Sequence, residues 1–359
     1  MEQQRIRRVL ERMAERGLRQ MIVSYPASIR YLTGVDVQPM ERLLALYLRQ
    51  GGCRLFLNRM FTVPPTGLEE VWVSDSDDPV TPLAETVKAE EVLGVDRQWP
   101  ARYLLPLIER VEGLRCVVAS DCVDQVRAVK DQAEQEKMIA ASALNDRCVE
   151  ELKNWFHAGM TERACVEYIS GLYQKYGATG VSFAPIVAFG ANAADPHHVS
   201  DDTVVQEGDC VLVDTGCVLD GYCSDMTRTY YYRTMSERNR ALHDLVREAN
   251  ELAEAAVRPG IPLRELDRIA REHIAAAGYG ENFTHRLGHF IGTECHESGD
   301  VSATTDLTAE PGMCFSIEPG VYLPGETGVR VEDLVLVTAE GCRVLNHLEK
   351  RAEAVGGPD

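Results

Sequence analysis

Two nine-residue stretches, GDCVLVDTG (208–216) and GMCFSIEPG (312–320), superimpose without a gap. Each has Gly, then Cys two residues on, then an apolar strand, then a carboxylate six residues after the Gly, so that Asp214 falls on Glu318. Each is followed by a turn and a second strand with another acid, Asp225 in GYCSDMTRT and Glu332 in GVRVED. The repeat implies two related β-hairpins. The VLV and FSI runs mark their strands as buried, yet each strand ends on an acid. For one such acid, a salt bridge or a turn cap is the ordinary explanation, because a buried carboxylate without a partner is costly or surrenders its charge. Four acids on two matched hairpins cannot all be ionised close together without strong positive charge, which divalent cations supply.

Two metals sharing two bridging carboxylates fit this pattern; such pairs lie roughly 3.5–4 Å apart and serve hydrolysis. A histidine usually completes one of the sites. HRLGHFIGTECHE (285–297) holds three of the chain's nine histidines. His285 and His289 have the i, i+4 spacing of a helical zinc pair, but Gly288 and Gly292 disfavour a helix and H-E-x-x-H is absent. The stretch reads as strands and turns that bring separate histidines to one cavity.

The chain's 359 residues fit two domains. From 1 to 124 helix and strand signals alternate: a helical face at Ile6, Val9, Leu10 and Met13, a strand at 21–24, and a hairpin of 43–48 with 53–57 across Gly51-Gly52. A strand at 92–96, a helix near 101–111 and a strand at 115–120 continue the α/β pattern. From 125 to 359 helices and strands come in blocks, which predicts an α+β domain with an antiparallel sheet. The stretch 123–156 reads as one long helix with Ala141, Leu144, Cys148 and Leu152 on its apolar face. A second helix carries Leu242, Leu245, Ala249 and Leu252, and a third Leu263, Leu266, Ile269, Ala270 and Ile274.

A formal net charge of -19 repels phosphate backbones and argues against a nucleic-acid partner. The charged N-terminus has no apolar signal core, and no apolar run reaches the ~18 residues of a membrane span. The protein reads as cytoplasmic, without a membrane partner. Eleven cysteines, scattered and never spaced C-x-x-C, read as reduced and mostly buried thiols.

Residues 125–350 resemble the pita-bread metallopeptidases (creatinase/aminopeptidase fold), closest to the prolidase and aminopeptidase P branch. The resemblance rests on GANAADPHHV, VLVDTG with YCSDMTRT, HRLGHFIGTECHE, FSIEPGVY and GVRVED. The N-terminal segment, including ASIRYLTG (27–34), resembles the smaller α/β domain of that branch. By resemblance, Asp214 holds one metal, Asp225 and Glu332 bridge both, and His289 and Glu318 complete the other. His197 and His296 match histidines that contact substrate and the developing oxyanion, and His285 matches a substrate-binding position. Arg330, two residues before Glu332, shares its side of a strand and balances charge at the metals or meets substrate; Thr227 relates to Asp225 in the same way. The resemblance implies hydrolysis of the bond before proline by a metal-bridging hydroxide, with Glu318 carrying a proton to the leaving nitrogen. That tertiary amide lacks the N–H on which ordinary aminopeptidases rely. Carboxylate-rich coordination with one imidazole favours Mn²⁺ or Co²⁺, with Zn²⁺ as the alternative. Small proline-containing peptides are the expected partners, and a homodimer the expected assembly.

One position departs from the pattern. Prolidase sequences commonly carry Arg four residues after the histidine matching His296; here position 300 is Asp. An aspartate there would repel a dipeptide's carboxylate. Either another cation serves, or longer Xaa-Pro peptides are accepted. The fold also occurs as a non-cutting peptide-binding module and as a lyase acting on small carboxylates; both remain open here, although no metal ligand is lost. His198, His243, His273 and His347 default to solvent, and His157 to a helix cap.

Overall fold

The computed structural model describes residues 2–356, which fall into two compact units, the first ending at Arg127 and the second beginning at Ala128. The first contains α1 (Glu2–Glu15), β1 (Gln20–Val23), α2 (Pro26–Thr33), β2 (Ala45–Arg49), β3 (Arg54–Asn58) and β4 (Glu69–Val73). It continues with α3 (Val80–Thr86), β5 (Leu93–Val95), α4 (Ala101–Arg110), β6 (Cys116–Val118) and α5 (Asp121–Ala128). Its sheet has the order β4-β3-β2-β1-β5-β6. The expected hairpin is present, with β2 antiparallel to β3. Side chains alternate across β1: Met21 and Val23 pack with α1, α2 and α5, and Ile22 with α3 and α4. Both faces are thus covered, as expected of an α/β unit.

The second unit begins with α6 (Gln132–Trp155) and α7 (Glu162–Lys175). The strands β7 (Gly180–Val181), β8 (Ile186–Phe189), β9 (Cys210–Thr215), β10 (Cys217–Leu219), β11 (Tyr222–Cys223) and β12 (Met226–Tyr232) follow. Next are α8 (Glu237–Ala256), α9 (Leu263–Ala276), β13 (Gly288–Phe290), β14 (Glu297–Val301) and β15 (Cys314–Ile317). The chain closes with β16 (Gly320–Leu323), β17 (Thr327–Arg330), β18 (Asp333–Val337), β19 (Cys342–Val344) and β20 (Ala354–Val355).

The long helix expected over 123–156 is interrupted. Asp131 accepts from Glu134 N, and the Glu134 side chain accepts from Asp131 N, a capping box that starts α6 afresh. Just before it, Lys130 N bonds Gly312 O instead of continuing α5.

The sequence repeat is a structural repeat. β9 pairs antiparallel with β12 in the sheet β20-β12-β9-β8, and β15 pairs antiparallel with β18 in the sheet β14-β13-β15-β18-β19. Each sheet carries a helix pair on one face. Val211 and Val213 of β9 pack with α6 and α7, and Phe315 and Ile317 of β15 with α8 and α9. Each such buried apolar side chain contributes about 1.5–3 kcal/mol. Alternation then sends Asp214, Ser316 and Glu318 to the opposite face. The same parity places Val329 and Val331 in the helix-side core and Arg330 and Glu332 away from it. In α8 the buried stripe runs through Leu242, Val246, Ala249 and Ala253, while Leu252, expected inside, is exposed.

Candidate metal centre

All nine residues singled out in the sequence as site residues line one cavity of about 460 Å³, together with Phe183, Ile186, Pro196, Arg286 and Cys295. Asp214 ends the apolar run of β9, and Asp225 stands immediately before β12. Glu318 follows β15, and Glu332 stands immediately before β18, so the acids occupy equivalent places in the two hairpins. His289 reaches them from β13. Gly288 makes this approach possible, since a Cβ there would lie 1.9 Å from Ser316 O.

The polar surroundings hold each acid in place. Arg330 is fully buried and donates to Asp214 Oδ2 at 2.5 Å, to Thr227 Oγ1 at 3.0 Å and to the Tyr322 hydroxyl at 2.8 Å. Thr227 Oγ1 donates to Glu332 Oε2 at 2.7 Å. Ser316 Oγ accepts from His289 N at 3.0 Å and donates to Glu318 Oε1 at 3.2 Å. Beneath them Arg228, also buried, donates to Glu332 O at 2.7 Å, Thr227 O at 3.0 Å and Asp333 Oδ1 at 2.7 Å, fixing the backbone that presents the acids.

His289 Nδ1 lies 3.2 Å from Phe290 O, so the proton belongs on Nδ1 and the Nε2 lone pair faces the acids. That Nε2 is 3.5 Å from both Asp225 Oδ2 and Glu318 Oε1. Asp225, His289 and Glu332 each place a donor atom within 4.8 Å of the others. Asp214 Oδ1 and Asp225 Oδ1 are buried without a hydrogen-bond partner among the described residues. Cys295 Sγ donates to Asp225 Oδ2 at 3.2 Å.

Protonation follows from this crowding. Burial pushes Asp214 up to about 6, against the pull of Arg330, and Asp225 adds repulsion. Burial pushes Glu318 up to about 7, opposed by His289 and Arg330 and aided by Asp225 and Asp214. Glu332 is driven well above the carboxylate range, first by burial and then by Asp225. Burial pulls His289 down, but Asp225 and Glu318 outweigh it and the net shift is upward. Burial lowers His296 and His285 to about 4, His296 also through His289 and His285 through Arg330. Orphaned carboxylate oxygens, acids that cannot ionise together and one imidazole lone pair aimed among them make a donor set that fits divalent cations.

His197 and His296 line the same cavity. His285 is held at both ring nitrogens, by Arg286 O at 2.7 Å and the Tyr322 hydroxyl at 2.8 Å. Asp300 lies outside the lining and pairs with Arg286, which is in it. Tyr322 and Ser316 were missed in the sequence. The usable signal was Gly320, where a Cβ would meet the Tyr322 hydroxyl at 2.4 Å, and the parity of Ser316 with Glu318. Two histidines expected in solvent are not there: His243 is buried with Nε2 on Lys350 O, and His198 pairs with Glu162. All eleven cysteines are free, as expected.

Residues 136–339 match the model of metallopeptidase family M24, and residues 5–129 match the creatinase/prolidase N-terminal domain. An uncharacterized peptidase of Staphylococcus aureus is 37% identical over 341 residues, covering 91% of this chain and 94% of its own. A dipeptidase from Pyrococcus horikoshii superposes with a TM-score of 0.92 at 31% identity, over 98% of this chain and 100% of its own. A prolidase from Thermococcus sibiricus gives 0.91 at 31% identity, over 99% of both chains. With this match over more than half its length, and with the pita-bread arrangement of its hairpins, the chain belongs to metallopeptidase family M24.

Proposed function

We propose that the protein hydrolyses the peptide bond before proline in small peptides, with two divalent cations, Mn²⁺ or Co²⁺ and Zn²⁺ as the alternative. Asp214 would hold one cation, Asp225 and Glu332 would bridge, and His289 and Glu318 would complete the other. The observation that carries this reading is the set of four crowded acids with two orphaned oxygens in a single cavity. The solved structures of a dipeptidase and a prolidase at 31% identity support the substrate class.

Bound cations would acidify a water and polarise the scissile carbonyl. The rest falls to the chain. His296, held low by burial, is neutral at physiological pH and can give an N–H to the oxygen where negative charge develops. Glu318, which lines the cavity beside His289, could take a proton and return it to the leaving nitrogen, which as a tertiary amide must receive one. Arg330 is spent on Asp214, Thr227 and Tyr322, which favours its charge-balancing role over direct substrate binding. Arg286 is the cavity's other cation, but Asp300 offsets its charge. The pair offers no full positive charge to a free carboxylate, which supports general Xaa-Pro peptides over strict dipeptides.

The test is a metal-dependent assay on Leu-Pro and on an Xaa-Pro tripeptide, with metal content measured in parallel. Both peptides should be cut only by the metallated protein, and Asp225→Asn should lose dinuclear loading together with activity. A fully loaded, active Asp225→Asn variant overturns the ligand assignment. A metallated protein that binds but never cleaves these peptides restores the binding-module reading.

A further inference from the structure

Glu162, the first residue of α7, is completely buried, and all four hydrogen bonds to its carboxylate come from the segment that carries His197. Oε1 accepts from Phe189 N at 2.8 Å and Asn192 Nδ2 at 2.9 Å. Oε2 accepts from Asp201 N at 3.0 Å and meets His198 Nε2 at 2.6 Å. The two backbone groups pin the ends of the segment 189–201, and His198 fastens its middle. Ser200 adds a clamp, its hydroxyl bonding both Val187 N at 2.8 Å and Val187 O at 2.9 Å. His197 sits in a turn that His198 N closes on Asp195 O at 3.1 Å. His198 turns inward to Glu162, while His197 lines the cavity. Among the described residues no hydrogen bond reaches the His197 ring; only its backbone N is held, by Asp195 Oδ1 at 2.9 Å.

We infer that Glu162 and His198 form a positioning pair that sets His197 against the substrate. The inference rests on the proposed function, in which His197 faces the peptide. A carboxylate is required because all four partners are donors. A glutamine at 162 would turn its NH₂ toward the donors at Phe189 N and Asn192 Nδ2 or toward those at Asp201 N and His198.

A double-mutant cycle tests it, using the metallated full chain and Leu-Pro, with metal content and Tm measured on every variant. Glu162→Gln alone should lower kcat/KM about tenfold at unchanged metal content, and cost less than about twofold when His197 is already Ala. His198→Ala should behave like Glu162→Gln, whereas His198→Gln, which keeps an N–H for Glu162, should recover most of the activity. If Glu162→Gln does not fold, the same cycle run with His198→Ala decides by the same criterion. Losses that multiply in full with His197→Ala, or that track lost metal, overturn the inference. An active wild type with a multiplying cycle sinks this inference alone; a metallated wild type that does not cut Leu-Pro sinks it together with the proposed function.

Discussion

The neutral state of His296 is a property of its surroundings. Burial and the neighbouring His289, whose ring centroid is 4.1 Å away, both disfavour a positive charge on His296. A neutral imidazole can donate a hydrogen bond without first shedding a proton. Replacing His296 with Ala should therefore lower kcat by about a hundredfold or more at unchanged metal content; an unchanged kcat would remove His296 from the reaction. Arg286 and Asp300 make a second residue-scale case. Freeing Arg286 by Asp300→Asn should raise the preference for Leu-Pro over an Xaa-Pro tripeptide about fivefold, read from the ratio of kcat/KM values. His198 and His243 could not be placed from their neighbours in the sequence. Their partners are 36 and 107 residues away, and only the folded chain brings Glu162 and the Lys350 carbonyl to them.

At the scale of elements, the strand repeat was readable because one parity rule governs both its core and its acids. A strand that buries Val211 and Val213 must send Asp214 the other way, and Phe315 and Ile317 do the same for Glu318. Those hairpins also brought Asp225 and Glu332 into place. The break between α5 and α6 was missed although its signal, Asp131 followed three residues later by Glu134, was present. The polar stretch KDQAEQEK (130–137) is rich in helix-forming residues and masks it, and the Lys130 to Gly312 bond that completes the break is long-range. Close strand approach was equally invisible. Gly288 argues against a helix in the sequence, but its need comes from Ser316 O across the sheet. Gly288→Ala should push β13 off β15, costing about 2–4 kcal/mol and weakening metal binding through His289. A Tm and metal affinity equal to wild type would show that the sheet absorbs the methyl group.

For the whole molecule, the buried acids couple stability to pH. Asp214, Glu318 and Glu332 have raised pKa values in the fold, first because of burial. Without cations the folded chain thus binds more protons at these positions than the unfolded chain. Their contribution to stability is present at low pH and is lost as pH rises, for Asp214 and Glu318 from about 4 through 7. Cations need the same groups deprotonated and reverse the trend. A saturating excess of Mn²⁺ should therefore raise Tm by more at about pH 7.5 than at about pH 5; an equal rise at both would mean that these acids are not the ligands. The helix-backed sheets matter here in another way. Asp214 and Asp225 belong to the hairpin backed by α6 and α7, while His289, Glu318 and Glu332 belong to the sheet backed by α8 and α9. Cations shared among them would act as a rivet between two separately built halves, so a chelator would unfasten the scaffold as well as silence the enzyme.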